Sequence, residues 1–379
     1  MFIDPGWFPL VARPRPPGQP LAVRIAGLTE LAALLPDSTG HQLASRAAEI
    51  LNKSALVTSD CGFNELAREL CFRYFRIFNE VKPWPTWAAG LAVQPILNIP
   101  RQLIRDGRGA EAHALLETLL AAARAQAIVV IDGHVIDLRA ITDSPKVHQD
   151  ICTHIWTALL ADGTRALIQA RRWTEAAQYA GFHRGIGTRL LDGRQAAILA
   201  HLYNGRPSDA AAMVDQSQTI GSSEHAVQCL LRVLCQQAAG TVTRADTDLM
   251  VGAALASMER NDPSTVVART RIGLAALSLA SDTHTPIEAL QARIISLATS
   301  DAYAARDLLQ LQAHIHLTAT QSNDLQSVLR VCSLGARKIS KELHRHLTSA
   351  VTQAEASLTR ALIHPSGSPI HEPYRREHV

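Results

Sequence analysis

The sequence predicts an all-α protein: a right-handed α-solenoid of antiparallel helix pairs, with one β-hairpin inserted at about residues 128–138. Three observations carry this. Residues 170–214, ARRWTEAAQYAGFHRGIGTRLLDGRQAAILAHLYNGRPSDAAAMV, hold one local device twice. In each copy a helix ends in basic or turn residues and an N-cap candidate follows, Thr174 and then Ser208. An acidic–alanine pair comes next, Glu175–Ala176 and Asp209–Ala210, and the two alanines lie 34 residues apart. That is the period of a stacked helical hairpin. Second, hydrophobic residues make up 47% of the chain and aromatics only 4%, an alanine- and leucine-rich balance suited to packed helices. Third, the helical period gives way once to strand-like alternation, around Asp132-Gly133.

A small residue early in a second helix lets that helix lie close against the first. Acid in the first turn favours the positive end of the helix dipole, and Ser or Thr accepts from an orphan amide. One hairpin cannot bury its apolar stripe alone, so neighbours must stack. The device recurs upstream at 60–67, ending in Ala67, and at 106–112, ending in Ala112. The spacing is irregular, and an insertion must fill the gap between Ala112 and Ala176.

Residues 1–20 are rich in proline (Pro5, Pro9, Pro14, Pro16, Pro17, Pro20) and read as an extended arm that Trp7 and Phe8 could pin to the body. A short helix over 23–35 stops at Pro36. Helices over 37–58 and 64–80 form the first clear hairpin, with Cys61-Gly62 as its turn. A helix over 86–105 contains Pro95 and Pro100, each of which removes a hydrogen bond and is expected to kink or break it. A helix over 109–127 follows, and then two short apolar runs, 128–131 and 134–138, flank Asp132-Gly133 as a hairpin. Such a ribbon is marginal alone and must pack on helices.

Ser144 caps and Pro145 opens a long helix to about 169. Beyond the central repeats, helices are expected at 223–239, 245–260, 263–280, 286–299, 302–318, 324–335 and 338–363. Asp262-Pro263 and the capping box Thr285–Glu288 mark two of the starts. The last helix repeats Ile339, Leu343, Leu347, Val351, Ala354, Leu358 and Leu362, a stripe suited to capping the array or to a homodimer interface. Residues 364–379 are expected to be a disordered tail. The domain division is thus an arm (1–20), N-terminal repeats (21–126), the hairpin insertion (127–143), central and C-terminal repeats (144–363) and the tail.

At 379 residues the chain is long for one compact core, a limit that solenoids escape by growing along one axis. Its formal net charge of +3 is too small to imply a nucleic-acid surface. The six cysteines never form CxxC and read as reduced, buried thiols of a cytoplasmic protein. No signal peptide is expected from MFIDPGWFPL, and no run of 18 apolar residues would cross a membrane.

On these repeats the chain resembles degenerate tetratricopeptide (TPR) units over roughly residues 40–335, and is similar to the helical-repeat body of actinobacterial, Streptomyces-type regulators without their DNA-binding domain. The resemblance implies a TPR-like solenoid with a regulatory or adaptor role. The TPR glycine twelve residues before the small residue is Thr164 or Ile198 here, so the family's groove residues do not carry over.

Residues 29–35 begin like a helix-turn-helix, but Asp37 stands where the turn wants glycine, and the next helix offers only Arg46. No direct nucleic-acid contact is expected. His344/His346 and His314/His316 sit two apart, pointing to different helix faces, and no HExxH or Cys/His cluster appears, so no metal and no cofactor are expected. No catalytic residue is assigned.

The candidate binding segment is 181–194, with His183, Arg184, Arg189, Asp192 and Arg194, and with Trp173 before it. Permissive glycines, three arginines with Asp192 as their one acidic neighbour, and a helix start could cradle an anion. The bland alternative is a loop between stacked repeats. The functional expectation is a non-enzymatic protein- or peptide-binding module. The alternatives are an enzyme or small-molecule sensor with an anion site at His183–Arg194, and a transcriptional regulator using a partner's DNA-binding domain.

Overall fold

A computed structural model describes residues 7–280, 285–311 and 315–364, with the side chains of 285 and 286 excepted. The chain is mostly helical, with one small antiparallel ribbon. In order, α1 is Leu21–Ala33, α2 Gly40–Asp60, α3 Asn64–Glu80, α4 Ala89–Arg105 and α5 Gly109–Ala125. Strands β1 (Ile128–Ile131) and β2 (His134–Asp137) follow, then α6 (Pro145–Ala158), a π-turn (Leu159–Gly163) and α7 (Thr164–Gln169). Next come α8 (Trp173–Phe182), α9 (Asp192–Tyr203), α10 (Pro207–Asp215), α11 (Gly221–Ala239) and α12 (Arg244–Ser257). The last are α13 (Val266–Leu279), α14 (Thr285–Ala298), α15 (Ala302–Gln310), α16 (Ala319–Cys332) and α17 (Lys341–Ile363). The chain divides into two compact units. Unit I holds the arm through Gln19 together with Thr164–Cys332, and unit II holds Pro20–Gly163 and the segment that begins at Ser333.

In unit II, α2 packs against α1, α3 and α17, and α4 against α3, α5 and α6. Phe75 and Phe78 meet Trp84 edge-on, with centroids 6.1 and 6.0 Å apart. Arg24 reaches the buried Asp60 at 2.8 Å. The expected break in α4 does not occur: the helix runs unbroken through Pro95 and Pro100, both buried. Two flanking amides hold it from outside. Gln94 and Asn98 both hydrogen-bond Asn52 of α2, the latter at 2.9 Å.

The ribbon forms where Asp132-Gly133 places it, with φ of 50° and 80°, both positive as a type I′ turn requires. It pairs Ile128 with Asp137 and Ile131 with His134. It packs on α3 and α5, where His134 stacks on Phe72 at 3.9 Å and Ile131, Ile136 and Leu138 are buried. The C-terminal stripe lies against α1 and α2 within the same unit, with Leu347, Val351, Ala354, Leu358 and Leu362 buried. Most of the stripe is thus packed within the unit, while Ile339 and Leu343 at its start are only half-buried.

In unit I each helix packs on its neighbour. Members of the series α7, α9, α11, α13 and α15 also touch in succession, as α12 touches α14. Hydrophobic pattern alone placed some ends wrongly. The helix expected to reach 318 stops at Gln310, and the next starts at Ala319 rather than 324. Thr318 and Gln321 explain that start, because each accepts the other's backbone N–H in a capping box. Of the box expected at Thr285–Glu288, the Thr285 side chain lies outside the described residues, as do His314 and the tail from 365 on.

Four hairpin joints share one geometry. The residue before the N-cap is left-handed at Gly62, Gly107, Arg171 and Gly205, with φ of 88°, 79°, 60° and 68°. The next residue's N–H reaches back five residues: Phe63 to Thr58, Arg108 to Leu103, Arg172 to Leu167 and Arg206 to His201. These are Schellman closures. They overturn the N-cap assignments of Thr174 and Ser208: the caps are Arg172 and Arg206, so each helix begins earlier. In three joints the capping arginine pairs with the acid three residues on, Arg108–Glu111, Arg172–Glu175 and Arg206–Asp209. The alanine that follows in every joint, Ala67, Ala112, Ala176 or Ala210, is completely buried.

Candidate functional site

Helix α8 ends in a further closure of the same kind, with Arg184 left-handed at φ 57° and Gly185 N–H bonded to Ala180 O at 2.7 Å. The loop beyond it pairs with the α10–α11 loop through Leu190 N–H to Gln218 O and Gln218 N–H to Thr188 O. Along this segment two of the three guanidinium groups are bonded within the chain. Arg189 grips Glu224 with Nη2 at 2.6 Å and Nε at 3.0 Å. Arg194, 7% exposed, donates to Gly187 O, Met213 O and Ser217 Oγ, and burial pulls its pKa down. Asp192 is buried beneath two arginines, Arg13 at 2.5 Å and Arg165 at 3.1 Å. Trp173 is buried and stacks on Tyr203 at 4.9 Å, within the α8–α9 pair. His183 lies half-buried beside Tyr179, and Arg184 is exposed. Arg189 and Arg194 close loops onto helices, so the three arginines do not converge on one anion.

What converges in unit I is the arm. Trp7, Phe8 and Leu10 are buried, and residues 7–19 run over α9, the turn before α13 and the N-cap of α15. Pro9, Pro14, Pro16 and Pro17 each remove an amide donor and fix φ, so this segment stays extended. Gln195, fully buried on α9, reads the main chain of Leu10 twice, accepting from its N–H at 2.8 Å and donating to its C=O at 3.1 Å. Arg13 enters the carboxylate of Asp192. Arg15 donates its N–H to Ser264 O and lays its guanidinium 3.8 Å over the buried ring of Tyr303, a cation–π contact.

At the far end Asp301 caps α15 with Oδ1, which accepts from Tyr303 N–H and Ala304 N–H. Its Oδ2 accepts the Gly18 N–H at 2.7 Å, and Gly18 O receives Ala302 N–H and the Cys332 thiol, each at 3.2 Å. A Cβ on Gly18 would stand 2.8 Å from Ala302 N, so the backbone fits there only without a side chain. The seat is thus two main-chain clamps with an acidic and an aromatic pocket between them.

Of the sequence-predicted residues, only Asp192 belongs to this seat. Gln195, Asp301 and Tyr303 were missed. Gln195 left one trace, a lone amide within the apolar run of α9, and Asp301 another, an N-cap residue before Ala302.

Unit II has a cleft lined by Phe63, Leu66, Leu70, Leu347 and Val351, with Arg73 and His344 at hand. It is largely apolar, and Arg73 is tied to Glu355 at 2.6 Å. Among the described residues no group of three His, Cys, Asp or Glu side chains could hold a metal ion, and no helix is long and apolar enough to cross a membrane. Comparison of the chain with known protein families, with curated proteins and with solved structures finds no match.

Proposed function

We propose that this chain is a TPR-like helical-repeat module that binds an extended protein segment without chemistry, in a regulatory or adaptor role. One observation carries the reading: unit I holds residues 7–19 as a peptide is held, reading the main chain at Leu10 and Gly18 and side chains between them. Recognition of an extended strand through paired main-chain bonds plus side-chain pockets is a general peptide-binding mode. The series α7, α9, α11, α13, α15 supports a two-layer solenoid whose first helices line the binding face, and three of the arm's contacts fall on that series or its approach. The repeated joint, with its buried alanine, supports the TPR-like register. The regulatory role rests on the resemblance to actinobacterial repeat bodies.

The test is a peptide-display selection against the full chain at physiological salt, with hydrogen exchange to locate the binders. Selected peptides that protect amides of α9, α13 or α15 are the expected result. A selection that enriches no peptide on either unit would remove the reading.

A further inference from the structure

We infer that the arm seat of unit I is a receptor for a segment of another protein: an extended, acid-free, proline-bearing peptide. It would carry an apolar residue where Leu10 sits, arginines at the places of Arg13 and Arg15, and glycine at the place of Gly18. The inference rests on the peptide-binding reading above and names its ligand and its resident competitor, the arm.

Three observations lead there. The seat is only partly satisfied on its own side: Gln195 Oε1, Asp301 Oδ2 and Ala302 N–H, all buried, bond the arm's main chain and no other described group. Asp192 keeps Arg165, Gln195 keeps Leu190 O at 3.1 Å, and Asp301 keeps the amides of Tyr303 and Ala304. Tyr303 keeps Arg306, 5.9 Å from its ring. An emptied seat would leave Gln195 Oε1, Asp301 Oδ2 and Ala302 N–H unpaired. An orphaned buried polar group is costly, so a second strand that satisfies them is favoured there.

The arm is also matched to the seat in charge: residues 7–19 contain two arginines and no acid, against Asp192, Asp301 and the face of Tyr303. Finally, the readout is spread along the peptide. The two clamps grip residues eight apart, about 25 Å of extended chain, so a single arginine side chain or a short cationic ligand would engage only one end.

A tethered arm competes at an effective concentration in the millimolar range, so the wild-type chain should hold a free peptide weakly. Loosening the arm should reveal the seat. The probe is a fluorescein-labelled synthetic peptide of residues 7–19, and the hosts are three full-length chains: wild type, Arg13→Ala with Arg15→Ala, and Gly18→Val. The third lifts the arm by a clash with Ala302 rather than by charge.

Expected are binding about tenfold or more tighter to either variant than to wild type, and a loss of about tenfold or more when the peptide carries alanine at both arginine positions. Cys332, which the arm covers, should react faster with a thiol reagent in both variants and slow again when the peptide is added. Several results would overturn the inference. One is no binding at about 1 mM peptide while Cys332 reacts freely. Another is loss of helical signal in both variants, which would make the arm a permanent part of the core. A third is a wild-type dimer that the peptide dissociates, which would assign the seat to a second copy. Display binders that leave α9 and α15 unprotected would sink this inference and leave the general reading standing.

Discussion

At Arg171 the chain places a side chain where three equivalent joints have glycine, at φ 60°. The left-handed conformation costs a non-glycine residue on the order of 1 kcal/mol. Arg171→Gly is therefore expected to raise the melting temperature, by about 1 kcal/mol of stability less the added freedom of the unfolded chain. The opposite change belongs to the buried alanines: Ala176→Leu or Ala210→Leu should destabilise by about 1–3 kcal/mol through overpacking, read as an earlier melt. Arg194→Ala should also melt early, because it removes a buried side chain and the three hydrogen bonds by which it closes the loop; each such bond contributes about 0.5–1.5 kcal/mol. Arg184→Ala, at an exposed position, should shift stability by less than about 0.5 kcal/mol. Equal melts for these last two variants would refute the assignment of Arg194 to loop closure.

Elements were legible wherever one local rule sufficed. The ribbon followed from Asp132-Gly133, and α6 from Ser144-Pro145, where Ser144 Oγ accepts from Val147 N–H. The alanine of each joint was visible because nothing else packs so closely at that point. The cap beside it was not, since Thr174 and Ser208 look like caps and only the backbone turn shows that Arg172 and Arg206 are. The arm's extension could be read from its prolines, but its seat could not. Gln195 lies 185 positions from Leu10 and Asp301 lies 283 from Gly18, distances over which a sequence carries no local signal.

The ribbon also carries a pH dependence. Asp137 is held well below the usual carboxylate range, first by Arg139 and then by Lys82. A depressed carboxylate stabilises the fold above its unfolded pKa, near 3.8, and that contribution is lost as the pH falls toward the folded value. Melting temperatures of wild type and Asp137→Asn should therefore converge below about pH 4 and separate above it, wild type being the higher. Parallel curves across that range would contradict the assignment.

For the molecule as a whole, two cores in one chain make a single two-state transition an unsafe assumption. Scanning calorimetry should give a calorimetric enthalpy larger than the van't Hoff value. Thiol chemistry offers a second global test. Burial pushes Cys61 up to about 11, and Cys71 and Cys235 up to about 12. The thiolate is the reactive form, so these cysteines should resist alkylation at pH 8 until the chain unfolds. Rapid labelling of Cys71 in the native protein would show that its surroundings are open.

The place of α17 against α1 and α2 has a consequence for the order in which the protein is made. Arg73 meets Glu355 across 282 positions, and the apolar faces of α1 and α2 are completed only by that last helix. At a synthesis rate of about 5–20 residues per second, roughly 15–60 s pass between the emergence of α2 and that of α17. Throughout that interval α1 and α2 lack part of their final cover, on a ribosome still adding Thr164–Cys332 of unit I. Nascent chains arrested before residue 341 should therefore be cut readily by protease within α1 and α2, and chains that have released α17 should not.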